Sequence, residues 1–313
     1  MSILDLIDRE EFNRLTVRSD KRAVAMTIGN FLLLAAAFAL PILWPHWPAW
    51  CLAALLLGGR ALALGILVHD TAHLTLFSSE KVNRWAGKWL FGALPNVGYE
   101  AYRKGHLTHH RYAGTEADPD LVFVNTFPAS TGSLARKLLR DASGLNGLKN
   151  ILYQIRTFKL ADHAPFLVAH ALLFGVLWLI GHPAVYLCWW LGYVFVFPVV
   201  LRIRVMGEHG GVPDHLDPDP RAHTGTTLAG PISRLLWAPN YVNFHVEHHL
   251  APGVPSYRLK ELHRLMMAKG HYQGWDCVQK SYLGVIKRCW SGQASGPRQR
   301  GDRRAHGALN NMQ

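Results

Sequence analysis

Eighteen histidines stand among the 313 residues, and eight of them fall into three short groups. His69 and His73 make an HxxxH; His106, His109 and His110 make an HxxHH; His245, His248 and His249 make a second HxxHH. Positions i, i+3 and i+4 share one face of a helix, so each group aims its imidazoles in one direction. An HxxxH alone arises readily by chance. An HxxHH is expected roughly 0.06 times in a chain of this length and histidine content, and two are present. Converging imidazoles are metal-ligand chemistry, and one structural zinc takes only four, so eight point to two ions. The four cysteines (Cys51, Cys188, Cys277, Cys289) lie away from the groups, which disfavours zinc-finger and iron–sulfur sites. Nitrogen-rich sites with open positions suit iron that binds and activates dioxygen. Asp70, Glu247, Asp118 and Asp120 are close in sequence and are expected to orient the imidazoles through their second ring nitrogen.

The elements that must position these groups are apolar. Residues 23–44 carry no charge over 22 positions, enough to cross about 30 Å of hydrocarbon. Further apolar runs place spans at about 49–68, 164–181 and 184–203, giving two hairpins joined by short Pro-containing links. Five Lys/Arg precede residue 23, twelve lie between His69 and His163, and fifteen follow Leu201. The two links carry none, so the positive-inside rule puts both ends of the chain and all three histidine groups in the cytoplasm. The expected fold is an all-α integral membrane protein. Four transmembrane helices carry a cytosolic helical cap, built from 69–163 and 204–290, that holds a His-rich di-metal site. The +12 net charge suits an anionic partner, here membrane headgroups or an acidic protein rather than nucleic acid.

Around the single membrane domain, 23–290, lie two flanking pieces. Residues 1–22 are charged throughout, unlike a cleavable signal, and Leu4, Ile7, Phe12 and Leu15 suit an amphipathic helix lying on the membrane surface. Residues 291–313 read as a disordered tail. Segment 81–98, with Trp85 and Trp89, looks interfacial and too short to span, and Trp189, Trp190 and Tyr193 read as lipid- or interface-facing in preference to lining an internal substrate tunnel. Arg60 falls inside a span, where a charge is costly, and no partner for it is evident.

The order HxxxH, HxxHH, HxxHH resembles the membrane fatty acid desaturase superfamily over roughly residues 23–270. The flanks agree: Leu74, Thr75, Leu76 and Phe77 follow the first box; Arg111, Tyr112 and the Asp118-Pro119-Asp120 turn follow the second. Asn243 and Phe244 precede the third box, and Leu250, Ala251 and Pro252 follow it. The resemblance implies a non-haem di-iron site beneath four spans, using O₂ and two externally supplied electrons to remove hydrogens from an unactivated acyl chain. It also implies a further histidine ligand between the second and third boxes. His209, just past the fourth span, is the preferred candidate, with Glu208 and Arg204 orienting ligands or facing substrate. His215 and His223 are alternatives on a Pro/Asp-rich connection that looks solvated.

Departures narrow the branch. Acyl-CoA desaturases like the animal enzymes have a first box one residue longer and an Asn one helical turn before the extra histidine, where this chain has Val205. Front-end desaturases replace the first histidine of the third box by Gln and carry a fused cytochrome b5 domain with an HPGG motif. Here His245 is present and HPGG is not. The electrons are therefore expected from a separate donor of the ferredoxin, rubredoxin or cytochrome b5 kind. The leading activity is a lipid acyl desaturase in the cytoplasmic membrane of a bacterium. The rivals are a hydroxylase or ketolase on the same scaffold, acting on carotenoids, sphingolipids or alkanes, and a desaturase of a small biosynthetic intermediate. A metal transporter would need polar ligands within the spans, whose interiors offer only His170 and Arg60.

Overall fold

The computed structural model describes residues 2–290 and is built almost wholly of helices. The expected disordered tail lies outside the described residues. In chain order the principal helices are α1 (Arg9–Thr16), α2 (Asp20–Leu43), α3 (Trp47–Ala72), α4 (Tyr99–Tyr112), α5 (Thr131–Ala142), α6 (Leu145–Arg156) and α7 (Leu160–Leu179). They continue as α8 (Pro183–Gly210), α9 (Pro231–Leu236), α10 (His245–Leu250), α11 (Ser256–Ala268) and α12 (Tyr282–Cys289). Four of them, α2, α3, α7 and α8, are long and apolar enough to cross a membrane. They match the four expected spans but overrun them at the ends that carry chemistry. Helix α3 continues to Ala72 and so includes His69 and Asp70, and α8 continues about two turns past Leu201 to include Glu208 and His209. Polar residues stay helical there because the rest of the protein, not lipid, surrounds them.

Span α3 is the packing centre. Leu57, Ala61, Leu64, Leu67 and Val68 are buried in the main core with Ala37 and Phe38 of α2 and Trp189 and Tyr193 of α8. Helices α3 and α8 meet backbone to backbone at Gly58 and Gly192. A Cβ on Gly58 would lie 2.5 Å from Val196 Cβ and 2.8 Å from Gly192 O, the small-residue contact by which helices associate where no hydrophobic effect operates. At this crossing α8 takes one wide turn, with Phe197 N bonded back to Gly192 O, five residues earlier. Outer faces of α2 and α7, such as Leu32 and Leu172, stay exposed for lipid.

Three expectations need correction. Arg60 is neither lipid-facing nor without partners: its Nη1 donates to Asn30 Oδ1 at 2.9 Å and its Nη2 to Leu235 O. Asn30 also donates to Asn240 Oδ1, and Asn240 to Ala63 O, both at 2.9 Å. The network ties α2, α3 and the α9 region together through partners too distant in sequence to foresee. The N-terminal segment does not lie on the membrane with its apolar side: Ile7 and Leu15 are buried against Phe244, Leu250, Leu259, Leu262 and Met266, and only Leu4 of the four is exposed. Trp189 and Tyr193 are buried rather than lipid-facing, and the Tyr193 hydroxyl takes hydrogen bonds from Asn150 and Gln154 and donates to Pro95 O. In segment 81–98, Trp85 and Trp89 are exposed as expected, while Phe91 is buried against the spans.

A two-residue parallel ladder, Thr226 opposite Val278 and Thr227 opposite Gln279, sits beside the start of α10, with Thr226 also bridged to Phe244. It fixes the point where the third histidine group begins.

Candidate metal centre

Each histidine group reaches the centre from its own helix: His69 and His73 from the end of α3, His106, His109 and His110 from α4, His245, His248 and His249 from α10. His209 arrives from a wide final turn of α8, closed by Gly211 N on Met206 O, five residues earlier. The nine imidazoles converge as two clusters. Candidate ligand nitrogens of His69, His73, His106, His110 and His248 all lie within 4.8 Å of one another, and so do those of His109, His209 and His249. His245 joins the second cluster, its Nε2 2.9 Å from His209 Nε2 and 3.1 Å from His249 Nε2. Within the first, His106 Nε2 lies 2.8 Å from His73 Nε2 and 3.1 Å from His110 Nε2, and His110 Nε2 is 3.0 Å from His248 Nε2.

The protons can be placed from the partners. His69 Nδ1 faces Asp70 Oδ1 at 2.9 Å, and His109 Nδ1 faces Asp118 Oδ1 at 2.8 Å. His209 Nδ1 faces the carbonyl of His223 at 3.1 Å. A carboxylate or carbonyl oxygen facing a ring nitrogen accepts from it, so Nδ1 carries the hydrogen in each and Nε2 is left as a lone pair facing the cluster. Burial holds the other rings neutral as well: it lowers the pKa of His73 to about 4 and of His110 to about 2, and takes His106, His245, His248 and His249 well below the ordinary value. Three lone pairs so fixed, on Nε2 of His69, His109 and His209, face the other imidazole nitrogens of the clusters. His69 Nε2 has no hydrogen-bond partner at all. Cations that take those lone pairs satisfy the set, so the residues present fit a pair of metal ions.

The surrounding groups divide. Asp70 also accepts from Ser256 Oγ at 2.5 Å, linking the first box to α11. Asp118 is buried and holds His109, while Asp120 stands 3.7 Å off and half exposed. Glu208 pairs with Arg204 Nε at 2.7 Å and lies 3.8 Å from His245 Nδ1, outside hydrogen-bonding reach. Glu247 is a correction. Its fully buried carboxylate orients no box imidazole; it accepts from Thr226 Oγ1 at 2.5 Å and from His263 and Tyr272. Sitting between His245 and His248 on a one-and-a-half-turn helix, it points away from the metal face and fastens α10 to the ladder and to α11.

The sequence reading missed Ser256, Thr226, His263 and Tyr272, whose partners lie 16 to 186 residues away. It also missed Tyr102, whose ring stacks on His106 at 5.5 Å, one turn earlier on α4, where i, i+4 spacing could have found it. Of the two alternatives to His209, His215 Nε2 bonds His209 O at 2.7 Å. His223 is buried rather than solvated, with its ring 5.8 Å from that of His249.

Comparison with known proteins identifies the family. The fatty acid desaturase family model matches residues 45–281. A dihydrorhizobitoxine desaturase of Bradyrhizobium elkanii is 26% identical over 312 residues, covering 89% of this chain and 84% of that protein. The sphingolipid delta(4)-desaturase/C4-monooxygenase DES2 of Homo sapiens is 27% identical over 248 residues (72% and 71%). A beta-carotene ketolase of Paracoccus sp. (strain PC1) is 28% identical over 210 residues (64% and 73%). With four apolar helices beneath its histidine clusters, this chain is an integral membrane oxidoreductase acting with O₂, and it belongs to the fatty acid desaturase family.

Proposed function

We propose that this chain is a di-iron desaturase that introduces a double bond into a lipid acyl chain, working on the cytoplasmic side of a bacterial cytoplasmic membrane. The observation that carries the reading is the convergence of nine imidazoles, five of them buried, into clusters of five and four. Two irons bound there supply the redox chemistry with dioxygen that removes hydrogens from two adjacent carbons. The chain's own residues do the holding. His69, His73, His106, His110 and His248 present one set of lone pairs, and His109, His209, His245 and His249 the other. Asp70, Asp118 and the His223 carbonyl keep the proton on Nδ1, so Nε2 of His69, His109 and His209 is free to ligate. Burial excludes water that would compete for the site. Electrons come from a separate acidic donor of the ferredoxin, rubredoxin or cytochrome b5 kind, steered by the basic cytoplasmic face.

A second reading is favoured by the comparison itself. The dihydrorhizobitoxine desaturase aligns along more of this chain than the sphingolipid enzyme or the ketolase does, which supports a small biosynthetic intermediate as substrate. The C4-monooxygenase and ketolase names among the relatives support hydroxylation as the alternative outcome on the same scaffold. Product analysis by mass spectrometry, after expression with a reductase system, separates these. A loss of about two mass units on an acyl lipid is expected; a gain of about sixteen for a hydroxyl or about fourteen for a ketone, or a change confined to a water-soluble metabolite, selects the alternatives. Replacing any one of the nine histidines by Ala is expected to lower bound iron from about two per chain and to abolish turnover. One zinc per chain with full activity would overturn the metal assignment.

A further inference from the structure

Beside the nine converging imidazoles stands one more that the reading above leaves without a task. His223 lies at the end of the 211–224 connection and is only 4% exposed. Its Nδ1 faces Asp217 O at 2.8 Å. A carbonyl only accepts, so Nδ1 carries the proton and Nε2 is a lone pair. That Nε2 is shut off from solvent and has no hydrogen-bond partner, an arrangement that is uncommon in folded proteins and calls for an explanation.

The place of the ring supplies one. His223 stands edge-on to His249 with centroids 5.8 Å apart. The second-cluster imidazoles are nearer to His249: His245 at 4.6 Å, His209 and His109 at 5.1 Å. His223 thus stands beside His249 and outside the ring of ligands. The cluster beside it gathers four imidazoles where the other gathers five.

The position is also built. The His223 carbonyl accepts from His209 Nδ1, so backbone and ring of one residue serve the same cluster. Gly114, at φ +80°, packs against it: a Cβ there would come within 2.8 Å of His223 Nδ1 and 2.3 Å of Asp217 O. Two residues earlier, Arg221 is held by Asp219 at 2.8 Å and by His271 O at 3.0 Å, with its guanidinium 4.2 Å from the centre of the Trp275 ring.

We propose that His223 is a tenth imidazole of the site, a positioning residue. Its Nε2 accepts a hydrogen bond from a water molecule bound at the position that His109, His209, His245 and His249 leave open on their metal. This rests on the reading of the clusters as metal sites. Such a partner fixes the orientation of the bound water and holds its proton without itself binding the ion.

The test uses the full chain loaded with iron-57, comparing wild type, His223→Ala, His223→Gln and, as a reference for a lost ligand, His110→Ala. Iron content and Mössbauer spectra are recorded in the resting state. His223→Ala is expected to keep wild-type iron and to shift the signal of one iron only, with turnover down about 10- to 100-fold. His223→Gln, whose amide oxygen can accept, is expected to restore part of the original signal. Should the Ala variant not fold, the Gln variant decides by the same readings: wild-type iron with one altered signal supports the role. Unchanged spectra would overturn it. Iron loss like that of His110→Ala would overturn it too, by making His223 a ligand or a structural prop. Wild-type protein that binds no iron would sink the metal reading, and this inference with it.

Discussion

A histidine serves a metal only as a neutral ring with its proton on the far nitrogen, and in this chain two different devices bring that about. Burial keeps the rings uncharged, and named acceptors fix the tautomer. The second device has a direct consequence at Asp118, whose Oδ1 lies 2.8 Å from His109 Nδ1. In Asp118→Asn an amide offers a weaker, neutral acceptor or turns its NH₂ to the ring and favours the wrong tautomer. Turnover or iron affinity is expected to fall by about 10- to 100-fold, while the half-exposed neighbour Asp120→Asn changes either by far less. Equal losses in both would show that the pair acts only through local charge. The first device predicts a pH dependence. His73 and His110 titrate near 4 and 2 in the folded protein against about 6.5 unfolded. A depressed imidazole pKa means the folded state binds fewer protons than the unfolded chain below pH 6.5. Stability of the metal-free protein is therefore complete above that value and is lost as pH falls toward 4. Its thermal midpoint is expected to drop between pH 7 and 5, and iron to dissociate from the loaded protein over the same window as protons compete. A midpoint that rises on acidification contradicts the burial argument.

At the scale of elements, the metal geometry depends on how closely α3 and α8 approach, since one carries His69 and His73 and the other His209. Gly58 is the contact. A methyl there meets Val196 Cβ at 2.5 Å and backbone at 2.8 Å, so Gly58→Ala forces the helices apart at a cost of about 1–3 kcal/mol. Gly65, on the same helix with nothing within 4 Å, is the control: Gly65→Ala is expected to leave the thermal midpoint unchanged or raise it slightly. Equal destabilisation by both would mean that helix content, not the crossing, is being read. The histidine motifs and four spans were legible because each is a local pattern, an i, i+3, i+4 face or a run of about twenty apolar residues. The supports were not. Arg60 finds Asn30 and Leu235, and Glu247 finds Thr226, His263 and Tyr272, only because the spans and cap fold together. Glu247 lies within the third box and looks like a ligand-orienting carboxylate, yet α10 is helical there and turns it to the opposite side. His223 was misread for a related reason. A stretch rich in Pro and Asp has the composition of a solvated loop, but its aspartates bond their own backbone and Arg221, and the folded strap buries the imidazole.

For the whole molecule, the clusters lie at one end of the spans. His69 and His209 occupy the last turns of α3 and α8, whereas the short links at 44–46 and 180–182 lie at the opposite end. Among the described residues every Lys and Arg lies before Ala23, between His69 and His163 or after Leu201, except Arg60, which is satisfied inside the protein. Moving the histidine side across the membrane would carry these charges against the rule that retains positive charge in the cytoplasm. The orientation is therefore expected to be uniform and insensitive to single substitutions. Cysteines introduced at Trp47, exposed at the start of α3, and at His182, exposed in the second link, should react with an impermeant maleimide in intact cells. Cysteines at Thr115 and Arg264, exposed on the histidine side, should react only after the membrane is opened. The native Cys51 is exposed near the first link, so the experiment begins from Cys51→Ser. Labelling of position 115 in intact cells would place the metal clusters outside, out of reach of a cytoplasmic electron donor, and would overturn the orientation and the proposed source of electrons together.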